Sequence, residues 1–454
     1  MRATGLAAVA EALGVDCPSE ASGARVMGVV HDTRLIEGGE LFFALPGEQA
    51  DGHSFIGEAF ARGAVAAVSN RPSEARGPVL MVRDPLQALG RLCRWYRSSL
   101  RAQTVAITGS VGKTTTREML GRICMRCGPT VVAQGNLNTE VGVPLTVFRA
   151  DDATEYLVLE FAMRGPGQIA WLADAARPRV GAITNIDAVH AELLGTVEAI
   201  AEAKAELLAA LPRDGAAALP ADDVYFGFLR PRALCPVMSF GLSRGDVRAR
   251  IASEDASSGR STVAVTTPEG SADIKLRCIG PHYAYDAACA AAAGLCMGLP
   301  LSAIAEGLEG YAPGRGRGEV CVSARGVRVF DDAYNASPRS VKAALYVLSV
   351  QPARRVAVLG DMLEMGDAEE TGHRAVGAYA AELSIDRLVA VGSRARWIAD
   401  EAVSRGMSPE HVHHFMNNDD AATFLLGVLA PGDTVLVKGS RGQRMESIVA
   451  ALLD

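Results

Sequence analysis

The chain has 454 residues, 49% hydrophobic and 21% charged, with a formal net charge of −7. That length carries about two to four domains with ample core, and the mild acidity gives no electrostatic reason to expect nucleic acid as a partner. No apolar run reaches the roughly 18–20 residues of a membrane span, which argues against membrane insertion.

The N-terminal stretch MRATGLAAVAEALGVDC carries Glu11 and Asp16 and predicts an amphipathic helix, not a signal peptide. Over 24–83, short β-like runs (RVMGVV, GELFFAL, AVAAVS, PVLMV) alternate with a helical stretch near 54–62. DPLQALGRLCRWYRSSLR then has apolar residues at helical spacing and predicts a connecting helix. From 104 the runs TVAIT, EYLVLE and RVGAITNI are each followed by a helix-forming stretch, the pattern of a parallel sheet with crossover helices.

The period changes to hairpin-like strands over 247–279, and an Ala-rich helix follows over 284–297. YAPGRGRGEV reads as a Gly-rich domain boundary, followed by a hairpin turning at Ala324-Arg325-Gly326 and a further strand–helix alternation to the end. The division predicted is an α/β protein of three domains. A small unit spans 1–84, a linker helix 85–101, a central parallel-sheet unit 102–312 and a C-terminal unit 313–454. Nine cysteines are scattered through these segments and read as reduced thiols of a cytoplasmic protein. Cys124 and Cys127 have metal or redox spacing but no second such pair, and read as helix-end cysteines.

The strand TVAIT leads into Gly109-Ser110-Val111-Gly112 and then Lys113-Thr114-Thr115. The usual phosphate-loop spacing would need glycine at 107, which is Ile107. The chemistry is nonetheless intact. Successive N–H groups and a helix N-terminus make an anion site, Lys113 can reach the β/γ-phosphates, and the Thr114 hydroxyl can ligate Mg²⁺. Nucleotide binding is expected.

Glu160 ends the strand YLVLE at the edge where open α/β sheets place ligands, so a hard carboxylate could hold Mg²⁺ there. Taken alone, His190 reads as a helix-start or surface residue, Lys204 in AEAKAELL as a solvated helix lysine, and the polar loop GNLNTEVGVP around Asn138 as turn chemistry. These residues leave open an ATP-dependent enzyme working between domains and a P-loop switch or transport ATPase. No Asn-Lys-x-Asp guanine loop is found, and the multidomain layout favours an enzyme.

The motifs together resemble the Mur ligase family, cytoplasmic amide-forming enzymes of peptidoglycan synthesis. TGSVGKTT matches that family's shorter loop, and HDTRLIEGGELFFALPGEQADGHSF resembles its UDP-sugar-binding domain. GNLNTEVGVPLT, TNIDAVHAELLGTVEAIAEAKAELL and GPHYAYDAACAAAA resemble the central ATPase domain. FDDAYNASPRSVKAAL, LGDMLEMGD and VKGSRGQRMESIV resemble the Rossmann-like C-terminal domain of the member that adds D-alanyl-D-alanine. The Asp-Asn-Pro-Arg motif of the sibling that adds the third peptide residue, the alternative within the family, is absent.

The resemblance implies that ATP phosphorylates the terminal carboxylate of UDP-N-acetylmuramoyl-tripeptide. The amine of D-alanyl-D-alanine then attacks the acyl phosphate. It implies ATP contacts from Gly109, Ser110, Val111, Gly112, Lys113, Thr114, Thr115, His282, Arg317 (with Arg315 a rival) and Asp332. Two Mg²⁺ ions are implied, one on Thr114 and Glu160, the other on His190 and a carbamylated Lys204. Lys113, His190 and Lys204 are the implied catalytic residues. Asp32, Thr33, Arg34 and His53 are implied for the UDP-sugar, Asn138 for substrate binding, Tyr334 and Asn335 for substrate binding beside Asp332 at the ATP ribose, and Lys438, Ser440 and Arg441 for the incoming dipeptide or the peptide carboxylate. A monomer is expected. Tyr283, Asp286 and Gln168 depart from the family pattern, which has asparagines at the first two positions and commonly glutamate at the third.

Overall fold

The computed structural model describes residues 1–47, 50–188 and 194–454. Three larger sheets, each built mostly of parallel strands, organise the chain. The N-terminal one has four parallel strands, Gly28–Val30, Glu40–Phe43, Ala66–Ser69 and Val79–Met81, in chain order. The expected N-terminal helix is shorter than its pattern, running Leu6–Leu13. Its chain enters through a two-residue strand, Thr4–Gly5, paired with Arg25–Val26, and it stops at Gly14 in the left-handed region.

The connecting helix Pro85–Ser98 starts where Asp84 accepts from the N–H groups of Leu86 and Gln87 at 2.9 and 3.1 Å. It is not a free-standing linker. Cys93 and Leu92 are buried in one core shared with the central unit, and the Cys93 thiol donates to the carbonyl of Ala175 at 3.4 Å. Buried Arg97 turns the chain, donating to Thr104 Oγ1 at 2.6 Å, the Ala102 carbonyl at 2.6 Å and the Leu100 carbonyl at 3.1 Å. The first strand of the central sheet, Gln103–Thr108, is thereby anchored to the helix that precedes it.

The central sheet has nine strands. Gln103–Thr108 lies between Val180–Ile183 and Tyr156–Glu160, all parallel, with Ile107 opposite Glu160 and Thr108 opposite Ile183. Their carboxyl ends therefore open side by side, which is where parallel sheets place ligands. The expected hairpin strands form the far edge as Val247–Asp255, Arg260–Thr267 and Gly270–Leu276, antiparallel to one another. The Ala-rich helix Pro281–Cys296 is buried along nearly its whole length. Its small side chains let it pack against both the sheet and the helix Lys113–Met125.

The C-terminal sheet has six strands, in the order Glu319–Val322, Arg328–Asp331, Thr434–Lys438, Arg355–Gly360, Arg387–Val391 and Val412–Phe415. The predicted hairpin is its antiparallel edge, and the other five strands are parallel. Asp331 pairs with Val437, and Leu359 with Lys438, so Asp332, Lys438 and Asp361 emerge on one side. That side faces the open edge of the central sheet across a cleft of about 900 Å³. All nine cysteines are free; Cys124 is buried in the last turn of its helix and Cys127 lies just past the end.

Candidate active site

The loop after Thr108 is held from outside by the neighbouring strand end. Asn185 accepts from Val111 N at 3.0 Å and donates to the Val111 carbonyl at 2.8 Å, and Thr184 Oγ1 donates to the same carbonyl at 2.6 Å. Ser110 Oγ donates to the Asp187 carbonyl at 3.0 Å. Gly109 has φ 144° and packs so closely on Thr184 that a Cβ would collide with it. Gly112, at φ 85°, begins the helix Lys113–Met125 with no side-chain cap. The first-turn N–H groups are left for an anion.

Lys113 Nζ donates to the carbonyls of Gly109 and Ser110 at 2.7 and 3.0 Å. Burial lowers its pKa, with Glu160 opposing and Arg317 adding to the shift. Thr114 Oγ1 donates to Glu160 Oε2 at 2.9 Å, so the two oxygens proposed for Mg²⁺ are adjacent. Glu160 is 2% exposed. It also takes Arg117 Nη1 at 3.1 Å on Oε2 and Asn138 Nδ2 at 2.8 Å on Oε1. Asn138, expected at a substrate, is thus turned onto Glu160.

Lys204 is the largest departure from its local pattern. It is 3% exposed, not solvated, and its Nζ donates to the Gly109 carbonyl at 3.0 Å. Neither nearby glutamate pairs with it. Glu202 takes Arg232 at 2.8 Å, and Glu206 accepts from Gly167 N at 2.6 Å and Ala170 N at 3.0 Å. Burial, and then the neighbouring Lys113, push the Lys204 pKa well down. His190 lies outside the described residues.

Residues from beyond 312 line the same cleft. The Arg317 guanidinium sits 4.1 Å above the Tyr334 ring, while Arg315 is exposed outside it. Lys438 Nζ donates to Asp332 Oδ2 at 2.6 Å and to the Asn335 carbonyl at 3.0 Å. Burial draws the Asp332 pKa up while Lys438 holds it down. Ser440 Oγ accepts from Leu363 N at 2.9 Å, and Arg441 lies 5.6 Å from the Tyr334 ring. Thr115 lines the cleft, and so does His282. Burial, and then Lys438, push the His282 pKa down to about 4. Its Nδ1 is buried with no partner among the described residues. Gln168 accepts from Gly165 N at 3.0 Å and so shapes the loop after Glu160.

The residues expected at the UDP-sugar form a separate group. Asp32 accepts from Arg34 N at 3.0 Å and from its guanidinium at 2.6 Å. Chiefly for that reason the Asp32 pKa is lowered to about 2. Thr33 is buried and donates to Glu58 at 3.0 Å; His53 Nδ1 lies 3.1 Å from Ser69 Oγ. Sequence patterns missed Arg117, Thr184, Asn185 and Arg339, although the strand-end position of Thr184-Asn185 beside the loop was a usable signal.

The family models for the Mur ligase middle domain, the Mur ligase glutamate ligase domain and the Mur ligase family catalytic domain match residues 107–294, 316–441 and 25–97. The UDP-N-acetylmuramoyl-tripeptide–D-alanyl-D-alanine ligase of Escherichia coli K12 is 35% identical over 429 residues, covering 94% of this chain and 93% of that protein. Its Bacillus subtilis 168 counterpart is 34% identical, covering 94% and 93%. A crystal structure of MurF from Acinetobacter baumannii superposes with a TM-score of 0.90 at 32% identity, covering 100% of this chain and 99% of that one. MurF ligase from Thermotoga maritima in complex with ADP superposes at 0.82 with 27% identity, covering 94% and 96%.

Proposed function

The chain belongs to the Mur ligase family, and from that premise we propose that it joins D-alanyl-D-alanine to UDP-N-acetylmuramoyl-tripeptide with ATP, in peptidoglycan precursor synthesis. The observation that carries this reading is one cleft holding both the Gly109–Thr115 loop with Glu160 and, from the last domain, Arg317, Asp332, Lys438 and Ser440. The similarity to D-alanyl-D-alanine ligases over nearly the full length supports the same substrates.

A carboxylate is a poor electrophile, and phosphorylation gives it a leaving group. The acyl phosphate formed from the tripeptide is attacked by the dipeptide amine, giving amide, ADP and phosphate. The loop N–H groups and Lys113 hold and neutralise the phosphates. Arg317 lines the cleft from the C-terminal domain, and Asp332 would hydrogen-bond the ATP ribose. Tyr334 and Asn335 would stand beside it, and Lys438, Ser440 and Arg441 would lie near the dipeptide or the peptide carboxylate. Asp32, Thr33, Arg34 and His53 would take the UDP-sugar.

The adjacent hydroxyl and carboxylate of Thr114 and Glu160 fit Mg²⁺, which prefers hard oxygen ligands. When bound, Mg²⁺ supplies charge neutralisation on the phosphates. A second ion on Lys204 requires the lysine as its carbamate, because an amine ligand set does not suit Mg²⁺. The divisions 1–84, 85–101, 102–312 and 313–454 serve as working domains. Among the described residues no helix is long and apolar enough to cross a membrane. A cytoplasmic monomer is the state we infer; the nine free cysteines support the reducing compartment.

The test is substrate dependence of phosphate release. Release should require both UDP-tripeptide and D-alanyl-D-alanine; full-rate hydrolysis with neither present would return the P-loop switch or transport reading.

A further inference from the structure

The segment 184–187 leaves the central sheet where the ladder of Val180–Ile183 ends, with Ile183 opposite Thr108. Three of its four residues grip the phosphate loop. Thr184 and Asn185 hold Val111 through their side chains, and the Asn185 carbonyl accepts from Ser110 N at 3.0 Å. Asp187 makes two bonds with Ser110 Oγ: its N–H donates to the hydroxyl at 2.9 Å, and its carbonyl accepts from it at 3.0 Å. Ile186 is the exception. Its side chain is buried, and its N–H goes not to the loop but to Asp223 Oδ2 at 2.9 Å.

Asp223 comes from the next strand over. Ala216–Pro220 runs parallel to Val180–Ile183, with Ala182 opposite Ala218, so Asp223 follows a strand end at the same edge of the sheet. Its two oxygens are divided. Oδ1 accepts from Tyr225 N at 2.9 Å, a local turn leading into the helix Phe226–Leu229. Oδ2 reaches 37 positions back to Ile186. The adjacent Asp222 is committed elsewhere, accepting from the N–H groups of Leu242, Ser243 and Arg244 at 2.6, 3.0 and 2.9 Å. A main-chain N–H that has left its ladder needs another acceptor, and a carboxylate makes the stronger bond. Asp223 thus braces from behind the segment that grips Ser110 and Val111 in front.

We propose that Asp223 is a positioning residue for the nucleotide, acting through Ile186 and the segment 184–187 on the loop that receives the phosphates. Asp223 is not among the residues lining the cleft, so its effect on ATP is indirect. This role rests on the loop 109–115 being the nucleotide site, as proposed above.

The test is calorimetric binding of a non-hydrolysable ATP analogue with Mg²⁺ to the full chain, with melting temperatures measured alongside. In Asp223→Asn one acceptor oxygen replaces two; asparagine favours the same local turn, so the Ile186 bond is the one lost. Affinity for the analogue should fall about three- to tenfold, less than the full worth of a hydrogen bond to a charged group because the effect is relayed. If Asp223→Asn does not fold, Asp223→Ser takes its place, its shorter side chain serving the turn alone. A double-mutant cycle separates positioning from a general loss of stability. In an Asn185→Ala background, where the two Asn185 bonds to Val111 are already gone, Asp223→Asn should cost at most about twofold. A purely structural aspartate would lower the melting temperature and leave affinity for the analogue unchanged; that result overturns the proposal, and so does an equal affinity loss in both backgrounds. These outcomes leave the nucleotide site standing. A wild-type chain that does not bind the analogue refutes the site itself, and the proposal with it.

Discussion

Lys113 and Lys204 donate to the same carbonyl oxygen, that of Gly109, at 2.7 and 3.0 Å. Two ammonium groups on one carbonyl in a buried site repel each other, and burial penalises each charge further. The pKa of Lys204 is driven down by burial first and Lys113 second, which favours its neutral amine. A neutral amine is the form that adds CO₂, forming the N–C bond of a carbamate and releasing one proton. Lys204→Ala should leave the fold intact and lower activity by orders of magnitude, with partial rescue by short carboxylic acids. Full activity in that variant would end the metal-ligand role.

Arg117 predicts a different loss. Its guanidinium is 4% exposed and bonds Glu160 at 3.1 Å and the Gly135 carbonyl at 3.0 Å. Arg117→Met leaves a buried carboxylate short of its counter-ion, and such breaks cost roughly 3–5 kcal/mol. A melting temperature several degrees lower is expected, together with weaker Mn²⁺ binding measured by paramagnetic resonance, since Glu160 is no longer held in place. Arg117→Lys should recover part of both. An unchanged melting temperature and Mn²⁺ affinity in Arg117→Met would exclude this role.

The boundary between what local pattern reveals and what only packing reveals runs through these same residues. The strand–loop–helix around Gly109–Thr114 is legible because apolar runs and glycines encode it within about twenty residues. Lys204 is not, because its helix Val197–Ala210 has glutamates at 202 and 206 that make the segment look solvated. Its burial is decided by Gly109, 95 positions away. Arg117 likewise reads as one more polar residue on a helix until Glu160 is brought onto it from the neighbouring strand. The helix Pro85–Ser98 looks like a linker because its apolar stripe does not disclose that its partner is the helix Gln168–Ala176.

Domain movement gives another measurable outcome. The loop lies on the central domain, and Arg317 and Asp332 lie on the opposite wall of the cleft. Catalysis is expected to need both walls drawn onto one nucleotide. Small-angle scattering should give a smaller radius of gyration with a non-hydrolysable ATP analogue and UDP-tripeptide than without them. An unchanged radius with binding confirmed by calorimetry would count against closure.

His373 predicts the acid limit of stability. Its ring is fully buried; Nε2 accepts from Met362 N at 3.0 Å, and Nδ1 lies 2.6 Å from the Glu369 carbonyl, to which it donates. That fixes the neutral tautomer and ties down the loop after Gly360 at Met362; the residue after it, Leu363, donates its N–H to Ser440 at the cleft wall. Burial lowers the His373 pKa first; the Glu369 carbonyl bond, Asp361 and Glu369 oppose it, and Arg394 reinforces it. Arg394 and Glu369 also pair with each other. Because the folded pKa lies below the unfolded value of about 6.5, the unfolded chain binds the extra proton as pH falls. The stabilisation is therefore complete above about pH 6.5 and is lost progressively below it. His373→Gln cannot titrate, and its side-chain oxygen can still accept from Met362 N. The melting temperature of this variant should fall less steeply between about pH 7 and 5 than that of the wild type. His373→Phe should instead be less stable by about 1–3 kcal/mol at neutral pH, the cost of stranding a buried N–H. Parallel melting curves for wild type and His373→Gln across that range would show that His373 does not set the acid limit.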